Sequence, residues 1–110
     1  MGLEEKLNIE EISMNIIAHS GDARSLAFEA LRKCREGKIE ESESLMEKAE
    51  KASVEAHHSQ TNLLVSEAQG KKTTISVLLI HAQDHLMNSM LAIDLIKEII
   101  KLEKQRKEEK

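Results

Sequence analysis

The chain has no proline, no tryptophan, no tyrosine, a single phenylalanine (Phe28), one cysteine and four glycines in 110 residues. Without proline, no ring removes a backbone donor from the interior of a helix. Aromatic rings usually contribute much of a core's buried area, so this interior must be built from Leu, Ile, Met and Ala. The lone Cys34 excludes an internal disulfide and fits a reducing compartment; we read it as a small buried or half-buried helix residue rather than a redox centre. No run approaches the ~20 apolar residues needed to cross a bilayer. The opening Met1-Gly2-Leu3-Glu4-Glu5-Lys6 lacks a signal peptide's apolar segment and carries Lys6 where a myristoylation signal has Ser or Thr. A cytoplasmic protein without membrane insertion is expected. Formal net charge is −4, with both signs interspersed. No basic stripe awaits phosphates and no rings await bases, which excludes nucleic acid as a partner.

What remains is rich in Ala, Leu, Glu, Lys, Met and Gln, all good helix formers. The length suits one domain covering residues 1–110. Glu36-Gly37-Lys38 and Gln69-Gly70-Lys71-Lys72 punctuate the chain, the second with Thr73 or Thr74 available as a cap. Helices are expected over about 4–35, 39–67 and 74–105. Two short connections between long helices predict an all-α, antiparallel three-helix bundle. In helix 1 the apolar side is Leu7, Ile12, Ile16, Ile17, Leu26, Ala27, Ala30 and Leu31. Ser20-Gly21-Asp22 in its middle permits either a kink or the close approach of another backbone. Helix 2 is more polar, with Leu45, Met46, Ala49, Ala52, Val54, Ala56, Leu63 and Leu64 along one narrow side.

Helix 3 differs. Ile75, Leu79, Ala82, Leu86, Ile93, Ile96 and Ile100 suffice to cover helices 1 and 2. Yet Val77, Leu78, Ile80, Met87, Met90, Leu91, Leu95, Ile99 and Leu102 are spread around the remaining circumference. A bundle helix needs one apolar stripe, so a helix apolar on nearly all sides needs further partners. Val77, Asp84, Leu91 and Glu98 recur every seven residues, beside a row of Asn88, Leu95 and Leu102. Such a seam, interrupted by polar residues that fix register, predicts a homo-oligomer with helix 3 at its centre.

Within that helix stands His81-Ala82-Gln83-Asp84-His85. Positions three and four apart on a helix are surface neighbours, so His81, Asp84 and His85 are adjacent. Polar groups set in an apolar segment need partners, and their retention there points to use. The histidine spacing is that of a helical zinc pair, but Ala82 stands where the metalloprotease motif has its glutamate base. A non-enzymatic helical metal-binding or trimerising interaction protein is the alternative reading. A two-component histidine-phosphotransfer domain would normally need a fourth helix.

Three stretches carry a resemblance: His81-Ala82-Gln83-Asp84-His85-Leu86-Met87 with Ser89-Met90-Leu91-Ala92, Ser20-Gly21-Asp22-Ala23-Arg24-Ser25-Leu26-Ala27, and Glu55-Ala56-His57-His58-Ser59-Gln60-Thr61. Together they resemble the lactose/cellobiose-type enzyme IIA component of the bacterial sugar phosphotransferase system, over essentially the whole chain. The resemblance implies a homotrimer with parallel third helices around its axis. It implies His81 as phosphoryl acceptor, and a divalent metal, taken in this family as magnesium, on Asp84 at the trimer axis. The implied partners are the histidine-containing phosphocarrier protein as donor and a IIB component as acceptor, serving an imported β-disaccharide of the lactose, cellobiose or chitobiose class. His19 departs from the family pattern, where Asn is expected, and adds a titrating group.

Imidazole suits reversible phosphate carriage because its ordinary pKa, about 6.5, leaves it neutral and nucleophilic at cytosolic pH. Transfer between two imidazoles asks for in-line positioning and stabilisation of spread negative charge. We expect Gln83 or His85 to contact the phosphoryl group, with His57 and Gln60 as further candidates. Met87 and Met90 are read chiefly as packing residues, His19 and His58 as structural, and Arg24 with Asp22 as an ion pair.

Overall fold

The computed structural model describes residues 3–109, with side chains from residue 8 onward. The expected packing role of Leu7 therefore lies outside the described side chains. Three helices follow in order: α1 (Leu3–Arg35), α2 (Ile39–Ala68) and α3 (Val77–Glu108). No strand occurs among the described residues. Together the helices form a rod of 62 × 20 × 19 Å.

Both glycine turns end their helices in the same way. Gly37 (φ 83°) and Gly70 (φ 90°) take left-handed conformations that suit glycine. Gly37 N–H donates to the Cys34 carbonyl and Lys38 N–H to Lys33; Gly70 N–H donates to Glu67 and Lys71 N–H to Ser66. These paired bonds are the Schellman arrangement, which satisfies carbonyls a helix end would otherwise leave open. Lys107 adds a second closure on α1, donating to the carbonyls of Cys34 (2.5 Å) and Arg35 (3.2 Å). A cation there also meets the negative end of the helix dipole.

The start of α3 departs from expectation. Residues 71–76 are not helical, and the cap is Ser76 rather than Thr73 or Thr74. Its backbone is extended, and its hydroxyl accepts from Leu79 N–H at 3.1 Å, satisfying one free donor of the first turn. Ile75, expected in the core, precedes the helix and is 76% exposed.

α1 is the middle element: it packs against both other helices, whereas α2 and α3 meet sparingly. Its buried stripe explains why. Ser13, Ile16, Ser20, Ala23, Ala27, Ala30 and Cys34 are buried at alternating spacings of three and four, the period of coiled-coil packing. All but one are small, so neighbouring helices can come close. α2 answers with Ser42, Ala49 and Ala56, spaced by seven. α3 supplies the bulk with Leu79, Ala82, Leu86, Ser89, Ile93, Ile96 and Ile100. Buried serines tie the contacts: Ser42 Oγ donates to the Ala30 carbonyl (2.7 Å) and Ser89 Oγ to the Ser20 carbonyl (3.0 Å). These bonds compensate the hydroxyls for lost water.

α1 runs through Ser20-Gly21-Asp22 without a helical break, and a Cβ built on Gly21 would meet nothing within 4 Å. Neither the break nor a close backbone approach within the chain is therefore found. Cys34 is free and buried, as read from the sequence. Val54 and Leu64, assigned to the apolar side of helix 2, are exposed.

Candidate functional site

α2 and α3 are separated by a cleft lined by Ser53, Val54, Met90, Ile93 and Asp94. A few polar contacts span the two helices. Gln60 donates from its side-chain amide to the Gln83 amide oxygen. Farther along, Lys97 meets Glu50 at 2.5 Å and Lys104 meets Glu43 at 3.4 Å. Glu50 raises the Lys97 pKa above its ordinary value, first by hydrogen bonding and then by charge. On the same helix Glu103 is held below the usual carboxylate range, chiefly by the hydrogen bond from Arg106.

The histidine pair lies on another side of α3 from the Gln60–Gln83 bridge, because positions two apart on a helix do not face each other. Because α3 begins at Val77, His81 lies in its second turn, nearer the N-terminus than the middle. It is still beyond the free amides of the first turn, so donors to an anion there must come from side chains. His81 is exposed and His85 half-buried. Their Nε2 atoms are 3.1 Å apart, the rings edge-to-face at 84° with centroids 4.4 Å apart. When both rings are neutral, one Nε2 carries the proton and the other accepts it. The pair thus presents one N–H and one lone pair at a single place.

Gln83 is half-buried, and with its oxygen held by Gln60 its own NH₂ is the group left to donate. A bridge between helices also fixes the rotamer, which lowers the entropy lost when a ligand is bound. Asp84 is exposed, and Asn88 Nδ2 donates to its Oδ1 at 3.2 Å. The sequence reading missed that contact, although the i, i+4 spacing could have signalled it. The structure thus joins His81 to His85 and Gln60 to Gln83. His57 is exposed on α2 and makes no hydrogen bond or ring contact with them; His58 is exposed too. His19 donates from Nδ1 to the Asn15 carbonyl (2.9 Å), one turn back on its own helix. Asp22 and Arg24, expected as an ion pair, are both exposed and do not pair within the chain.

Among the described residues of one chain, no three His, Cys, Asp or Glu side chains converge to hold a metal ion. The expected magnesium on Asp84 therefore finds no complete ligand set within one subunit. Neither is any described helix long and apolar enough to cross a membrane.

Residues 11–104 match the family described as PTS system, lactose/cellobiose specific IIA subunit. This chain belongs to that family. The N,N'-diacetylchitobiose-specific EIIA component of Escherichia coli K12 is 43% identical over 103 residues, covering 94% of this chain and 89% of the relative. The lichenan-specific phosphotransferase enzyme IIA component of Bacillus subtilis is 44% identical, with 86% of each chain covered. Among solved structures, the cellobiose-specific enzyme IIA of Bacillus anthracis superposes with a TM-score of 0.90 at 47% identity, covering 100% of this chain and 96% of that one. The IIA(Chitobiose) chain solved in complex with HPr gives a TM-score of 0.79 at 41% identity, covering 90% of this chain and 96% of that one. This IIA protein is accordingly a phosphotransferase-system component of the lactose/cellobiose/chitobiose class, and the non-enzymatic alternative is not favoured.

Proposed function

We propose that this IIA protein is a cytoplasmic phosphocarrier that takes a phosphoryl group onto His81. The donor is the histidine-containing phosphocarrier protein, and a IIB component takes the group onward to an imported β-disaccharide. The observation that carries the proposal is the exposed His81 ring with its Nε2 held 3.1 Å from that of His85. The IIA relative solved with HPr supports the donor. In the transfer, the lone pair of His81 Nε2 attacks phosphorus as the bond to the donor imidazole breaks. The accepting ring gives up its remaining N–H proton and the leaving ring takes one. Of Gln83 and His85, it is His85 that faces His81 and would hydrogen-bond the phosphoryl oxygens, whose charge needs donors that are already in place. Gln60 holds Gln83 on the side of α3 that meets α2.

The assembly we propose is a homotrimer of antiparallel bundles, each chain one IIA domain, with the third helices at the centre. Its support is the outer row of α3. Val77, Ile80, Met87, Leu91, Leu95 and Leu102 are all exposed in the single chain, a contiguous apolar surface of the kind that marks an interface. Asp84 lies in the same row. Three copies brought to an axis would repel one another, and a magnesium ion with water would offset that charge. A single carboxylate with an Asn88 hydrogen bond fits one ligand of such a shared ion.

The test is incubation with phosphoenolpyruvate, enzyme I and the carrier protein, followed by mapping of the acid-labile phosphate. One phosphate per chain on His81, absent in His81→Gln, is expected. A label on another residue, or none, would refute the proposal.

A further inference from the structure

The same two rings have a second capability. From their arrangement we infer that His81 and His85 form a chelating site for a borderline divalent transition metal such as zinc, and that metal there blocks phosphoryl acceptance. The Nε2 separation is 3.1 Å. With metal–nitrogen bonds of about 2.05 Å, that separation subtends about 100° at a shared ion, close to the tetrahedral angle zinc favours. The two residues are one helical turn apart, so the backbone already sets the spacing and little ordering is lost on binding. Each ring needs only a turn about its Cβ–Cγ bond, a soft torsion, to aim its lone pair at the ion. In the neutral pair the proton between the rings passes to the donor ring's Nδ1, so binding releases no net proton.

No third His, Cys, Asp or Glu completes a cluster among the described residues. Water therefore fills the other positions, and the site is reversible rather than structural. Ligand chemistry separates it from a magnesium site. Imidazole nitrogen suits zinc, nickel and copper, whereas magnesium selects oxygen. Affinity should rise from manganese through cobalt and nickel to copper, the usual order for nitrogen ligands.

Binding requires only the two imidazoles; its antagonism to transfer rests on His81 as the acceptor. A phosphoryl group on His81 Nε2 uses the lone pair that the metal needs, so each excludes the other. By linkage, the factor by which zinc weakens phosphorylation equals that by which phosphorylation weakens zinc binding.

The experiment is a calorimetric titration of chelator-stripped protein with zinc chloride in millimolar magnesium, for wild type, His85→Gln and His81→Gln. Circular dichroism checks that each variant stays helical. One zinc per chain in the wild type is expected, with affinity about tenfold or more weaker in both variants. Equal affinity in His85→Gln would overturn the site, as would one zinc per three chains that survives His85→Gln and is lost in Asp84→Leu. Phosphate labelling at His81 with and without zinc then tests the antagonism. Zinc binding with no labelling at His81 would sink the phosphocarrier proposal and leave the metal site standing. Labelling unaffected by saturating zinc would sink the antagonism.

Discussion

Leu86 and Leu91 stand five residues apart on α3 and face opposite ways, which makes them a sharp test of the assembly. Leu86 is fully buried in the chain with Ile16, Ala56 and Ala82, whereas Leu91 is 58% exposed. Full burial of a leucine contributes about 1.5–3 kcal/mol. Roughly half of that remains to be gained by Leu91 on assembly, about 1–1.5 kcal/mol per chain. Three copies sum to roughly 3–5 kcal/mol per trimer, or about two to four decades in the dissociation constant. The constant for three chains scales as concentration squared, so Leu91→Ala should shift the trimer's dissociation to higher concentration by about half as many decades. Leu91→Glu, which gathers three carboxylates as well, should yield monomers that remain helical. Leu86→Ala should instead lower the stability of the chain itself by about 2–5 kcal/mol, through lost burial and the cavity left behind. Sedimentation velocity across a dilution series, with circular dichroism on the same samples, separates the outcomes. A Leu91→Glu protein sedimenting as the wild-type trimer would show that the outer row of α3 is not the interface.

Other consequences are more local. Ser76→Ala should cost about 1 kcal/mol in urea unfolding by removing the α3 cap, while Ser76→Asp should retain it; an unchanged midpoint for the alanine variant would discount the cap. The Lys97–Glu50 pair raises the Lys97 pKa, so its contribution is complete below the ordinary lysine value of 10.5. It disappears as pH climbs through the raised value. With both side chains about half exposed, Glu50→Gln should cost no more than about 1 kcal/mol at neutral pH and nothing at strongly alkaline pH. A cost that persists there would point to some other role. Asp84→Leu should keep or strengthen the trimer, since it removes like charges together with the proposed ligand; monomers from that variant would refute the axial-metal proposal.

The helices were legible in the sequence because their signals are local. Gly37 and Gly70 mark both turns, and the α3 core was read correctly at Leu79, Ala82, Leu86, Ile93, Ile96 and Ile100. The core of α1 was harder. A search for large apolar residues finds Ile12, Ile17 and Leu26, which flank the packing and are only partly buried. The true stripe includes Ser13, Ser20 and Ala23, residues too small for such a search to find and of the size that close helix approach requires. Ile75 was misplaced because Ser76, and not an earlier threonine, starts the helix. At the site, the motif named His81, Gln83, Asp84 and His85. The i, i+4 spacing placed the two histidines together, but the Gln60–Gln83 bridge depends on the register between α2 and α3, which no local pattern encodes.

The small residues of α1 do more than fill space. At the level of Gln60 and Gln83 the small buried residues are Ser13 of α1, Ala56 of α2 and Ala82 of α3, and the spacing they allow sets the span that Gln60 must cross to reach Gln83. A methyl-sized enlargement there would thus be felt as a wider gap between the two amides. The interior spacing works as a gauge block for the bridge between the outer helices, and only side chains no bulkier than those present leave it unchanged.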